Sequence, residues 1–288
     1  MRYARLILTA SNDFWLEAAI RSVTGYACSV IGCDAEAGLD RKLQTDDTPD
    51  QRPGAALLFF GFSSDALGKA LVNRVGQCLM TCPTISVFDG LPSAEKRAGL
   101  GRQLRYFGDG FQKSKKLGDR RYWRVPVMDG EFLVEDTVGM EQGIAGGNLI
   151  LQGASAEETA DAAAQVARAM MAVPGVIAPF PAGVVRSGSK VGSRYSKLPA
   201  STNQAYCPTL VGRVASELNN ASRCAYEIVI DGVTQQAIES AMQTGIQAAI
   251  EAGLVEVSAG NYGGKLGKFH FPIRPLADRI KSTLREQT

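Results

Sequence analysis

Ala4-Arg5-Leu6-Ile7-Leu8-Thr9-Ala10, near the start of the chain, opens a pattern that both halves of the sequence share. An apolar run of this length, bounded by Ser11, Asn12 and Asp13, reads as a strand. Ser11 or Asn12 then caps a helix in which Phe14, Leu16, Ala19, Ile20 and Val23 recur at helical spacing, and Gly25 ends it. Ala27 to Cys33 reads as a second strand. After a polar loop rich in Asp and Pro, Ala55 to Phe62 is a third strand, Ser64 opens a helix through Leu67, Leu71 and Val75, and Thr84 to Asp89 is a fourth strand. The order βαββαβ is the ferredoxin-like split unit.

The second half repeats the pattern. Asn148 to Gln152 is a strand, Ser155 to Met171 a helix, Gly175 to Pro179 and Ala225 to Ile230 strands, Thr234 to Ala252 a helix and Leu254 to Ser258 a strand. Ser155-Ala-Glu-Glu158 is a capping box, which marks where that first helix begins. The predicted class is therefore α+β, with two ferredoxin-like lobes from an internal duplication, each a sheet with one helical layer. The boundary falls near Gly143-Ile-Ala-Gly-Gly147, giving lobes 1–145 and 146–288. Two insertions interrupt the scheme. Gly90 to Met140 carries Arg105 to Phe111 and a hairpin-like aromatic stretch from Arg121 to Asp136, and Phe180 to Cys224 carries a Gly/Ser/Lys run. Long insertions in a compact domain usually serve function.

Composition excludes several classes. The 288 residues are 45% hydrophobic, enough for a sizeable core, and 31 basic against 29 acidic side chains argue against a polyanion-binding surface. The predicted strands carry Val, Ile and Leu where an RNA reader would expose aromatics, so nucleic-acid binding is not expected. No apolar stretch reaches membrane-spanning length and no signal-peptide core follows Met1, so a soluble cytoplasmic protein with no membrane association is expected. Six cysteines in a chain of this size are read as free thiols. Cys78-x-x-x-Cys82 lacks further ligands, with the single histidine, His270, far along the sequence. No metal and no prosthetic group are expected.

Three glycine-rich strings are candidate binding segments. Ser258-Ala-Gly-Asn-Tyr-Gly-Gly-Lys-Leu-Gly-Lys-Phe-His-Phe271 sets glycines around Asn261, Lys265 and His270, where backbone comes close to a ligand. Ser187-Gly-Ser-Lys-Val-Gly-Ser193 is not a Walker loop, but Ser187, Ser189 and Lys190 offer hydroxyls and an ammonium. A plain surface loop is the other reading of this composition. In Arg105-Tyr-Phe-Gly-Asp-Gly-Phe111, Arg105 suits an acidic ligand and Asp109 sits between glycines. Tyr106, Phe107 and Phe111 either stack on a ring or are plain core. Asn203 and Asn261 are amides able to donate and accept. Within Tyr226-Glu-Ile-Val-Ile-Asp-Gly232, Glu227 shares a strand face with Val229 while Tyr226, Ile228 and Ile230 take the other. Glu227 is either a solvated edge residue or a desolvated carboxyl, and a desolvated one would have a raised pKa suited to general acid work.

These three strings, with Ser29-Val-Ile-Gly-Cys33 and Tyr226 to Gly232, resemble formylmethanofuran:tetrahydromethanopterin formyltransferase, over Tyr3 to Arg274. The balanced charge is similar to bacterial, methylotroph-type members rather than the strongly acidic archaeal ones. Pro179-Phe-Pro181, the Ser187 to Ser193 run, Ala200-Ser-Thr-Asn203 and Cys207-Pro-Thr209 resemble one continuous segment of the family, with Ala182 standing where its PFPGG has glycine. The resemblance implies transfer of a formyl group between N-formylmethanofuran, or a methylofuran-type analogue, and N5 of tetrahydromethanopterin, in the oxidation of formaldehyde to formate. It implies that Glu227 is catalytic and that Ser187, Ser189, Lys190, Asn203, Asn261, Lys265, Arg105, Tyr106, Asp109 and His270 serve substrate binding. His270 stays open between a core or supporting role and direct proton transfer. Such a transfer needs N5 placed against the formyl carbon, a stabilised oxyanion and the management of two protons. The resemblance also implies a homo-oligomer, dimer or tetramer, or a complex with hydrolase subunits resembling formylmethanofuran dehydrogenase. Fold alone assigns no chemistry, so a non-catalytic scaffold subunit of such a complex is the alternative reading.

Overall fold

Alternation of apolar residues and well-placed caps produce two compact units, Met1–Gly143 and Ile144–Thr288. The structure is a computed structural model that describes residues 1–260, 271–273, 275 and 276. The Asn261, Lys265 and His270 readings therefore lie outside the described residues.

In the first unit the chain runs β1 (Arg2–Thr9), α1 (Asp13–Thr24), β2 (Glu36–Leu43), β3 (Gly54–Gly61), α2 (Ser64–Arg74) and β4 (Ser86–Asp89). These strands lie in the order β2-β3-β1-β4, with β1 antiparallel to both β3 and β4. That is the ferredoxin-like arrangement. Local capping sets the helix starts: the Asn12 side chain accepts from Trp15 N at 3.2 Å, and Ser63 accepts from Ala66 N at 3.1 Å, so that Ser64 opens α2. Leu16, Ala19, Ile20 and Val23 of α1 and Leu67 and Leu71 of α2 pack with Leu6, Leu8, Leu57 and Phe59 into one core. Fully burying a side chain such as Leu57 or Phe59 stabilises the fold by roughly 1.5–3 kcal/mol.

The second strand is not Ala27 to Cys33. Ser29 turns that segment: its carbonyl accepts from Cys33 N at 2.7 Å and its hydroxyl from Ile31 N at 3.3 Å. The pairing strand is the polar stretch Glu36–Leu43, where a bulge between Leu39 and Arg41 directs Asp40 onto Arg5, Nη2 to Oδ2 3.0 Å. A buried ion pair is what makes that strand read as a loop.

The insertion after β4 is largely ordered structure: β5 (Lys96–Gly99), α3 (Gly101–Leu104), β6 (Lys113–Leu117), β7 (Arg120–Val127), β8 (Gly130–Glu135) and β9 (Thr137–Gln142). The expected aromatic hairpin is β7 with β8, and β8 adds to β4 in parallel, extending the sheet through β8-β7-β6.

The second unit contains β10 (Ile144–Gly153), α4 (Ala156–Met171), β11 (Val176–Ile177), β12 (Lys190–Val191), β13 (Ala200–Ser201), β14 (Cys224–Gly232), α5 (Gln235–Glu251) and β15 (Glu256–Ser258). Its main sheet has the order β11-β14-β10-β15, again the ferredoxin-like one, with β14 and β10 in the middle. Ser155 and Thr234 cap α4 and α5 through Glu158 N and Ala237 N. Leu149 and Leu151 of β10 and Ile228 and Ile230 of β14 point into the core beneath the two helices. Their neighbours in the alternation take the other face, and the long segment between β11 and β14 lies against it.

Candidate functional site

The side chain of Glu227 lies on that second face. On β14 the alternation that sends Ile228 and Ile230 into the core turns Glu227 away from it, and on β10 the same rule turns Asn148, Ile150 and Gln152 away. Glu227 pairs with Ile150 across the strands. It is no solvated edge glutamate: it stands on an interior strand and is 3% exposed.

Nor is it a carboxyl among apolar groups alone. Asn148 Nδ2 donates to Oε1 at 2.8 Å and Ser189 Oγ contacts Oε2 at 2.9 Å. Bonds of this kind are what a buried carboxyl needs, since desolvating it without partners costs far more than one hydrogen bond returns.

The insertion delivers Ser189 in a specific way. β11 pairs with Gly232 and Asp231, and further along the same edge Val185 exchanges both backbone bonds with Glu227, at 2.7 and 3.1 Å. Beyond Val185 the chain turns at Gly188, whose φ is +73°. A Cβ there would meet Asn203 Cβ at 2.7 Å and Asn203 N at 2.9 Å, so glycine is required for the turn to lie against Asn203. A narrow cleft opens here between Ser187 and Gly188, Asn203, Tyr206 and Cys207, and Tyr226, with Glu227 in its wall.

The remaining polar groups hold the covering segment in place. Lys190, on β12 opposite Ser201 of β13, donates its ammonium to Gln204 Oε1. Gln152, fully buried, grips residues 217–219: its amide donates to Glu217 O at 3.2 Å and accepts from Asn219 N at 2.8 Å. Tyr206 donates to Glu217 Oε2 at 2.5 Å, and burial together with that bond pushes its phenol up to about 12. Tyr206 is therefore a hydrogen-bond donor and no base at neutral pH.

Of the residues the sequence singles out, Ser187, Ser189 and Asn203 lie with Glu227, and Lys190 adjoins them. Arg105, Tyr106 and Asp109 belong to the first unit. There the Arg105 guanidinium stacks on the rings of Tyr106, at 4.7 Å, and Trp123, at 4.6 Å, while Nη2 donates to the Tyr106 hydroxyl. Asp109 ends a short helical turn with φ +50°. Tyr106, Phe107 and Phe111 are all exposed, which removes the plain-core reading of that cluster. Sequence reasoning missed Asn148, Gln152 and Tyr206. The first two were within reach, because alternation along β10 puts them on the face that Glu227 occupies.

Among the described residues no group of three or more His, Cys, Asp or Glu side chains is arranged to hold a metal ion, and all six cysteines are free thiols. Among the described residues no helix is long and apolar enough to cross a membrane. What the arrangement offers is a buried, hydrogen-bonded carboxyl beside a cleft, able to exchange a proton or to donate to a developing oxyanion.

Residues 1–127 match the family model described as formylmethanofuran-tetrahydromethanopterin formyltransferase, and residues 130–276 match the one described as FTR, proximal lobe. The chain is 50% identical over 283 residues to formylmethanofuran--tetrahydromethanopterin formyltransferase of Methylobacillus flagellatus, covering 96% of this chain and 94% of that one. Among solved structures it is similar to a chain of the formyltransferase/hydrolase complex of Methylorubrum extorquens in complex with methylofuran, with TM-score 0.91, 47% identity and coverage of 96% and 92%. It is also similar to the Methanosarcina barkeri formyltransferase, with TM-score 0.89, 40% identity and coverage of 96% and 94%.

Proposed function

The chain belongs to the formylmethanofuran-tetrahydromethanopterin formyltransferase family, and we propose that its formyl transfer is centred on Glu227. It is a transferase that moves a formyl group between N-formylmethanofuran, or a methylofuran-type analogue, and N5 of tetrahydromethanopterin in one-carbon metabolism. The observation that carries the assignment of the centre is the Glu227 carboxyl, 3% exposed yet beside the cleft and held by Asn148 and Ser189.

A formamide is a weak electrophile, and its nitrogen leaves only when protonated. Attack by N5 gives a tetrahedral carbon with a negative oxygen, and a proton must leave N5 while another reaches the departing amine. A protonated Glu227 donates to that oxygen or supplies the proton to the amine. Its carboxylate takes the proton back from N5. Ser187, Ser189, Lys190 and Asn203 place the reacting groups from the covering segment; Arg105, Tyr106 and Asp109 of the first unit and the sequence-assigned Asn261, Lys265 and His270 are further proposed substrate contacts. The Lys190 and Lys265 ammonium groups and the Arg105 guanidinium suit carboxylates on a substrate tail.

The protein acts in the cytoplasm as an oligomer, either with copies of itself or with hydrolase subunits. The Methylorubrum extorquens relative sits in such a formyltransferase/hydrolase complex. A scaffold without activity is disfavoured, because relatives about half identical over nearly the whole chain are named as formyltransferases. Incubating the purified chain with N-formylmethanofuran and tetrahydromethanopterin tests the reading. Formation of 5-formyltetrahydromethanopterin is expected, and binding of both substrates without product would restore the scaffold reading.

A further inference from the structure

At 3% exposure, the Glu227 carboxyl has little direct contact with solvent although its residue forms part of the cleft wall. Its two oxygens face chemically different groups. Asn148 Nδ2, 2.8 Å from Oε1, belongs to an amide that only donates through nitrogen, so Oε1 is an acceptor in either protonation state. Ser189 Oγ, 2.9 Å from Oε2, is a hydroxyl that donates or accepts by rotating one bond. Ser189 is itself half-buried, and it follows Ser187 and Gly188, which line the cleft. It thus joins the buried carboxyl to the segment that lines the cleft.

We propose that Ser189 is the proton relay of Glu227, and that Asn148 is a positioning residue that confines the mobile proton to Oε2. The relay rests on Glu227 being the carboxyl at the centre of formyl transfer. In one direction the Oε2–H bond breaks as its proton passes to Ser189 Oγ, while the serine's own proton passes to the amine nitrogen leaving the tetrahedral carbon. Glu227 ends as a carboxylate, the serine is restored and the departing amine is neutral. In the other direction a proton from the attacking nitrogen reaches Oγ, and the serine proton passes to Oε2. Nothing is oxidised or reduced, and the hydroxyl carries no net charge before or after.

Steady-state formyl transfer by the full-length variants S189A, S189T, E227Q and S189A/E227Q tests the relay. S189A should lower kcat by about 10²-fold, the usual scale for one positioned proton-transfer group. Both KM values should stay within about twofold of wild type, and the double variant should be no slower than E227Q, because residues acting as a unit do not add. S189T keeps the hydroxyl and should recover most of the rate, with the melting temperatures of S189A and S189T showing that the fold is intact. In mixtures of light and heavy water the wild-type rate should curve with deuterium content, for two protons in flight, and the S189A rate should not. A higher KM with unchanged kcat in S189A would make Ser189 a substrate contact and overturn the relay. Multiplying losses in the double variant, or an S189T as slow as S189A with an intact fold, would overturn it as well. If E227Q runs at the wild-type rate, the Glu227 reading falls and takes the relay with it. If E227Q is slow and S189A is not, the relay alone falls.

Discussion

Asn148 and Glu227 meet diagonally across two antiparallel strands: Asn148 is paired with Val229 and Glu227 with Ile150, yet Nδ2 reaches Oε1 at 2.8 Å. Diagonal neighbours on one face of a sheet are within reach of long side chains, and here the contact sets the rotamer of a buried carboxyl. Replacing Asn148 by Ala should cost about 1–3 kcal/mol of stability, because a buried acceptor loses its donor. It should also lower kcat more than it raises KM, since what is lost is orientation. Thermal unfolding with initial-rate kinetics checks this. An Asn148→Ala protein with wild-type kcat would show that the amide serves packing only.

On the proposed reading Lys190 serves binding rather than chemistry. Its ammonium is half-buried on β12, next to the cleft-lining segment, and bonded to the neutral amide of Gln204, a partner it can exchange for a carboxylate. Lys190→Ala should raise KM for one substrate by the equivalent of roughly 1.5–3 kcal/mol and leave kcat nearly unchanged. Unchanged KM values for both substrates would assign Lys190 to holding the loop.

Ala182 tests the cost of a side chain where the family pattern has glycine. Its φ and ψ are 51° and 21°, in the left-handed region. For a residue with a Cβ that conformation costs roughly 1–2 kcal/mol, while the extra freedom of an unfolded glycine takes back about 0.5–1 kcal/mol. Ala182→Gly should therefore stabilise the second unit slightly, raising the urea midpoint without changing the slope. A lower midpoint would show that neighbouring contacts absorb the strain.

Much of this architecture was legible from alternation and caps. The apolar pairs Leu149 with Leu151 and Ile228 with Ile230 announce the core faces of β10 and β14, and Asn12, Ser155 and Thr234 announce helix starts. What escaped was written in polar residues that are satisfied only by distant partners. β2 is hidden by Asp40, whose buried carboxylate meets Arg5 from another strand. Ala27 to Cys33 looks like a strand until the hydrogen bonds of Ser29 close it into a turn. The Glu227 site shows the same limit. Its face of the strand follows from a period of two, as does that of Asn148, and the Gly/Ser/Lys run singles out Ser189, but no local pattern pairs Glu227 with these two residues 79 and 38 positions away.

Acid stability should report on Asp136 in the first unit. Burial alone would raise its carboxyl, but the Trp123 indole N–H at 2.7 Å, the Arg102 guanidinium and the charge of Arg121 together hold it below the usual carboxylate value. With the folded value below the unfolded one, the unfolded chain binds more protons in acid. The stabilisation is therefore complete above about pH 4 and is lost as pH falls through the folded value. Asp136→Asn should lower the urea midpoint at pH 7 and much less at pH 3. An equal deficit at both pH values would mean that shape, not charge, matters there.

If the Glu227 carboxyl does the proton chemistry of formyl transfer, kcat of Glu227→Gln reports it. Glutamine keeps the shape and can still bond to Ser189, so fold and KM should hold while kcat falls by on the order of 10² to 10³. A glutamine variant turning over within about twofold of wild type at saturating substrates would contradict the account, and would make Glu227 a buried structural residue of β14.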